Sequence, residues 1–118
     1  AGLPLVQHAL VSLLEHYHAG RLSLEQIVRK TSHNVADLFQ VAERGYIREG
    51  YWADLTLVDL STPTVVDQQT LYSKCGWSPF AGYLFKSSIH TTIVNGAVAF
   101  ADGRVNPEIR GKRLTFER

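Results

Sequence analysis

The sequence predicts an α+β fold in which helices come first and a β-meander comes last. Three observations carry this. Apolar residues recur at helical spacing through residues 4–19 and again after Ser23. Past Gly45 the period changes from 3.6 to 2, and Asp54-Leu55-Thr56-Leu57-Val58-Asp59 alternates with strand-forming side chains. Asn95-Gly96, the pair that suits both positive-φ positions of a type I′ turn, separates two apolar runs.

Each element has a local reason. Val6, Leu10, Leu13, Leu14 and Tyr17 fall on one face of a first helix, with Pro4 in its first turn and Gly20 at the C′ position. Ser23-Leu24-Glu25-Gln26 is a capping box that opens a second helix, with Leu24, Ile27 and Val28 on its apolar side. Asn34 reads as the N-cap of a third, short helix over Val35 to Val41, and Gly45 closes the helical part. Then come a strand over Asp54–Asp59 and a short one at Thr64-Val65-Val66. An ordered loop from Gln68 to Phe85 holds Gly76, Pro79 and Gly82, with a helical turn near Gln69–Tyr72. Strands Ile89–Val94 and Ala97–Ala101 flank the hairpin turn, and Asp102-Gly103 turns the chain again.

Composition narrows the function classes. The chain has 118 residues, 45% hydrophobic and 19% charged, which is ordinary for a globular domain or a piece of a larger one. No apolar run approaches the roughly 18 residues of a membrane span. Twelve basic and eleven acidic residues give a net charge of +1, without the lopsided field of a nucleic-acid or membrane binder. The last fifteen residues hold five basic and two acidic side chains and read as a solvated tail. A single cysteine, Cys75, rules out an internal disulfide and fits a reducing, cytoplasmic compartment. The chain opens Ala1-Gly2-Leu3-Pro4, with no methionine and no signal-like segment, as expected of a processed or cut piece.

Residue by residue, no complete catalytic site emerges. His16-Tyr17-His18 has the look of a metal-binding pair, but positions i and i+2 of a helix point about 200° apart. The expectation is a solvated helix end. Glu15 and His18 are better spaced, yet two ligands make no site. His8 and His33 lack partners at chelating spacing, and His90 alternates on a strand towards solvent or a packed loop. Cys75 follows Lys74, which favours a thiolate, but no histidine stands at a partner position, so a buried structural cysteine is expected. Ser78 precedes a proline and lacks the Gly-x-Ser-x-Gly frame of a nucleophile elbow. Trp77 and Phe80 are expected to anchor the loop, and the glycines are too dispersed for a phosphate loop.

The order of these elements resembles the end of an amidohydrolase-superfamily chain. Asn34-Val35-Ala36-Asp37-Leu38-Phe39 is similar to the family's late helix, where proline usually follows the asparagine. The run from Gly45-Tyr46-Ile47 through Gly50 to Ala53-Asp54-Leu55 and the strand ending in Asp59 is similar to the family's crossing from barrel to β-sandwich. Val94-Asn95-Gly96 resembles its closing hairpin. Within the superfamily, Ser78-Pro79-Phe80-Ala81-Gly82 resembles the dihydroorotase and allantoinase branch, and Cys75-Gly76-Trp77 leans towards bacterial dihydroorotases.

The resemblance covers essentially the whole chain and implies the last helices of a (β/α)₈ metal-dependent hydrolase barrel, residues 1–44. The C-terminal strands of a composite β-sandwich would follow, residues 45–118. It implies zinc in the full-length parent, polarising a cyclic amide and activating a water, with an aspartate moving the proton. All of those ligands, and the aspartate, belong before Ala1. No catalytic or metal residue is therefore expected in this chain, and only Gly2 and Leu3, beside Ala1, would lie next to the substrate loop. The expected partners are the remainder of the same enzyme, a small-molecule substrate in the parent and further copies of the chain, with no nucleic acid and no membrane. Allantoinase, hydantoinase and a non-catalytic assembly module are the alternatives.

Overall fold

The structure is a computed structural model that describes residues 2–118. The chain folds as two compact units, one made of the chain up to Leu22 with Asp59–Ser88, the other of Ser23–Val58 with Ile89–Arg118.

In the first unit a 3₁₀ turn at Val6–His8 leads into helix α1, Ala9–His18. The helix ends in a Schellman motif: Gly20 has φ +76, its N–H donates to the Tyr17 carbonyl, and the Arg21 N–H donates to His16. The buried face differs from the expected one. Val11 and Leu14 are buried together with His8, whereas Val6 is 93% exposed. Val6 belongs to the tighter 3₁₀ turn, so helical spacing counted from it runs out of phase with α1. Strands β2 (Thr64–Val65) and β3 (Leu84–Phe85) pair antiparallel, Thr64 opposite Phe85. Phe85 is buried, with Phe80 edge-on at 5.2 Å and Tyr83 at 4.7 Å. The expected helical turn is a 3₁₀ turn at Gln68–Thr70, capped by the Asp67 carboxylate.

In the second unit the capping box is present: the Ser23 hydroxyl accepts the Gln26 N–H, and the Gln26 side chain accepts the Ser23 N–H. It opens α2, Leu24–Val28. Asn34 is not an N-cap. Its backbone is helical (φ −64, ψ −36), because a π-helical turn at Arg29–His33 carries α2 straight into α3, Asn34–Phe39. Gln40, at φ 56, ends the run. A four-stranded sheet follows in the order β1-β4-β5-β6: Leu55–Asp59, Ser88–Val94, Ala97–Ala101 and Arg104–Val105. Asn95 (φ 52) and Gly96 (φ 82) form the two-residue turn, with Val94 opposite Ala97. Asp102 and Gly103 repeat the device between Ala101 and Arg104. The register between β4 and β5 shifts by one residue at Thr92/Ile93, a β-bulge.

The tail is not simply solvated. The Ala42 N–H donates to the Thr115 carbonyl, the Glu117 N–H donates to Gln40, and Val41 bridges Phe116. The segment after the helix leaves a backbone donor and an acceptor that the tail pairs, so main-chain pairing holds residues whose side chains remain wet.

Candidate functional site

Gly2 and Leu3 begin the described chain. Gly2 has φ +108 and Leu3 is exposed, its carbonyl accepting the Leu5 N–H at 2.9 Å. Ala1 lies outside the described residues.

A seam of polar side chains fixes α1 to the rest of its unit. Gln7 donates to the Thr70 carbonyl at 2.7 Å and accepts the Tyr72 N–H at 3.0 Å. Glu15 accepts the Lys86 N–H at 3.1 Å. His18 does not end the helix in solvent: its Nε2 lies 2.7 Å from the Ser87 Oγ. A serine paired with a histidine at that distance has the arrangement of two of the three members of a nucleophilic triad. Ser87, however, is 0% exposed, and its carbonyl accepts the Thr64 hydroxyl at 2.7 Å. No substrate carbonyl can approach such an oxygen, so the pair is a clamp. His16 turns away to meet Arg21 at 3.3 Å. Gln7, Glu15 and His16 interrupt the apolar helix in the sequence, and three-dimensional pairing explains each of them.

Cys75 is exposed, against the expectation of burial. It sits in a tight turn closed by the Gly76 N–H on the Ser73 carbonyl, and tips of such turns face solvent. The inward place in this loop belongs to Ser78, buried with its hydroxyl accepting the Phe80 N–H at 3.1 Å. The Ser73 hydroxyl, then the Trp77 backbone, lower the Cys75 thiol below its ordinary value. Phe80 packs inward as expected, while Trp77 is exposed. His90 is exposed, with its Nδ1 2.7 Å from the neighbouring Thr91 hydroxyl.

The second unit holds a cluster of charged and aromatic groups. The Asp54 carboxylate accepts the Asn95 N–H at 2.8 Å with one oxygen and pairs with Arg44 through the other. The Arg44 guanidinium lies 5.1 Å from the Trp52 ring centre, and the Lys112 ammonium 4.5 Å from it. The Ala53 carbonyl accepts the Gly96 N–H at 2.9 Å. The Ala-Asp-Leu segment therefore ties the crossing loop to the hairpin turn. Sequence reading places Asp54 in a motif without its partners, because Arg44 and Asn95 are ten residues before it and forty-one after it.

Beside this cluster lies an open groove of about 290 Å³, lined by Asp37, Gln40, Arg44, Tyr46, Arg48 and Glu117 among others. His33 stacks on Tyr46 at 4.1 Å and donates from Nδ1 to the Gly45 carbonyl at 2.7 Å. Arg48 covers Tyr46 at 4.1 Å. The Tyr46 hydroxyl donates to Asp37 at 2.7 Å, and that bond, more than burial, holds the phenol above its ordinary value. Both guanidiniums are engaged within the unit, and the groove contains no base beside a nucleophile. Among the described residues, no three His, Cys, Asp or Glu side chains gather as a metal would require.

Comparison with known proteins identifies what this scaffold is. A family model described as "Amidohydrolase family" matches residues 17–100. The chain belongs to that family. The match includes the Gly45–Asp59 crossing, the Cys75–Gly82 loop and the Asn95-Gly96 hairpin turn. Over 117 residues the chain is 32% identical to the dihydroorotase of Pyrococcus abyssi, covering 99% of this chain and 29% of that protein. It is 33% identical over 114 residues to an allantoinase of Desulfitobacterium hafniense, covering 96% of this chain and 25% of the other. A solved D-hydantoinase superposes with a TM-score of 0.80 at 26% identity, over 88% of this chain and 23% of its own. The chain thus spans under a third of the length of these amidohydrolases.

Proposed function

We propose that this chain is the C-terminal part of a zinc-dependent cyclic amidohydrolase that interconverts dihydroorotate and N-carbamoyl-aspartate in pyrimidine biosynthesis. The observation that carries the reading is the 117-residue similarity to a dihydroorotase, nearly the whole of this chain against 29% of that protein. In this reading, residues 1–44 supply the last helices of the barrel and 45–118 the C-terminal part of the β-sandwich. The parent's zinc is held by residues outside this chain, Gly2 and Leu3 border the substrate loop, and no catalytic group lies within the 118 residues.

The role of the chain is architectural. Val35, Leu38 and Phe39 on α3 are exposed, as is Ile47, which supports burial against the remainder of the same enzyme. The same exposed surface favours further copies of the chain as partners, in a cytoplasmic homo-oligomer that binds neither nucleic acid nor membrane. No helix among the described residues is long and apolar enough to cross a membrane.

The similarity to an allantoinase at 33% identity supports a second reading, in which the parent opens allantoin. The test is to load the whole parent protein with zinc and assay opening of dihydroorotate, allantoin and hydantoin, beside the 118-residue chain alone. Turnover of dihydroorotate by the parent and none by the chain is expected. Preference for allantoin selects the second reading, and turnover by the chain alone overturns the architectural role. A parent with no metal-binding histidines outside this chain would be a non-catalytic assembly module.

A further inference from the structure

We propose that His8 is a built-in pH sensor of the first unit: the seating of α1 against the β2–β3 hairpin requires a neutral imidazole, and protonation releases the start of the helix. The inference stands apart from the catalytic reading, since it rests only on the packing of this unit.

The environment of the ring is hostile to a cation. His8 is only 3% exposed. Its ring stacks on Phe85 at 6.0 Å and 25° and meets Phe80 edge-on at 6.3 Å. Its Nδ1 is buried with no hydrogen-bond partner, so a proton placed there would have no acceptor. Finally, His8 ends the 3₁₀ turn that leads into α1 (φ −109, ψ 12), where the peptide dipoles of the helix present their positive end. The Phe85 face attracts a cation, but weakly compared with the hydration that burial removes.

No titratable neighbour compensates. On α1 the nearest carboxylate along the seam is Glu15, two turns on and accepting the Lys86 N–H. The hairpin and its flanks bring Tyr83 and Lys86, and the segment held by Gln7 brings Asp67 and Tyr72. The Asp67 carboxylate accepts two backbone amides of its own turn. Residues 78–82 contribute no titratable side chain. Burial alone lowers His8 below its ordinary value.

The sign follows from proton linkage. The unfolded chain binds a proton at His8 near the ordinary pKa of about 6.5, and the folded unit binds it only at lower pH. Stability from this residue is complete above that value and is lost as pH falls from about 6.5 towards the lowered folded pKa.

The test is urea unfolding of the chain at pH 7.5 and 5.5, followed by Trp77 fluorescence in a Trp52→Phe background, with and without His8→Phe. The folded-to-unfolded ratio of the His8 protein should fall between the two pH values because of this residue, by at most about tenfold, and His8→Phe should remove that part of the fall. Imidazole proton titration by NMR in the unsubstituted chain gives a second readout that survives if His8→Phe does not fold. There the His8 resonance should titrate below the ordinary imidazole value. An unchanged pH dependence in His8→Phe, or a His8 resonance titrating at or above the ordinary value, overturns the proposal.

Discussion

The two units hold themselves together by different means. Among the described residues, the first unit buries Val11, Leu14, Val66 and Phe85, together with the polar side chains His8, Ser78 and Ser87. The second buries Ile27 and Ala36 alone among its apolar residues. In their place it uses a four-stranded ladder, two positive-φ hairpin turns and the Asp54–Arg44–Trp52–Lys112 cluster. The first unit is a small core crossed by a polar seam, and the second is a backbone framework stitched by side chains. Within one family scaffold, packing and hydrogen bonding thus divide the work by region.

Three substitutions would break or sharpen that contrast. The largest effect belongs to the core: Phe85→Ala removes the most deeply packed aromatic ring and should cost about 3–5 kcal/mol. Hydrogen exchange should then show lost protection in the α1 amides; protection within a few tenths of a kcal/mol of the original would mean that the seam of Gln7, Glu15 and His18 suffices without the core. Next comes Gly45→Ala. Gly45 has φ +86, and a Cβ there would stand 2.3 Å from the Ala36 Cβ. The backbone strain and the clash with a buried methyl together should cost about 1–3 kcal/mol in urea unfolding. A neutral result would show that the start of α3 can shift, and that its packing does not depend on this close approach.

The smallest effect is expected at the stitch. Asp54→Asn keeps the shape but removes the charge that pairs with Arg44 and strengthens the bond to the Asn95 amide. The site is partly exposed, so about 1 kcal/mol is expected, visible as faster exchange of the Asn95 N–H. A loss as large as that of Phe85→Ala would erase the distinction between a packed unit and a stitched one.

Much of the framework is legible in the sequence. The capping box at Ser23, the C′ glycine at position 20 and the Asn95-Gly96 turn are set by neighbours within a few residues, so their local chemistry is complete there. The residues that sequence reading misplaces are those whose partners lie far along the chain. His18 meets Ser87 sixty-nine residues away, and Gln7 meets Thr70 and Tyr72. Asn34 departs from expectation for a different reason: its residue type suits a cap, but the π-helical turn before it removes the helix start that it would have capped.

The sequence by itself determined the longer helices and strands, the hairpin turns and, through the Gly45–Asp59 crossing, the family, but not the short strands β3, inside the expected Gln68–Phe85 loop, and β6. These depend on backbone conformation and short-range spacing, which a residue and its near neighbours decide. Only the tertiary structure decided that Val6 is exposed while His8 is buried, that Cys75 is exposed while Ser78 turns inward, and why Asp54 belongs in its motif. Burial and pairing are properties of what packs against a residue, and in this chain those neighbours arrive from tens of residues away.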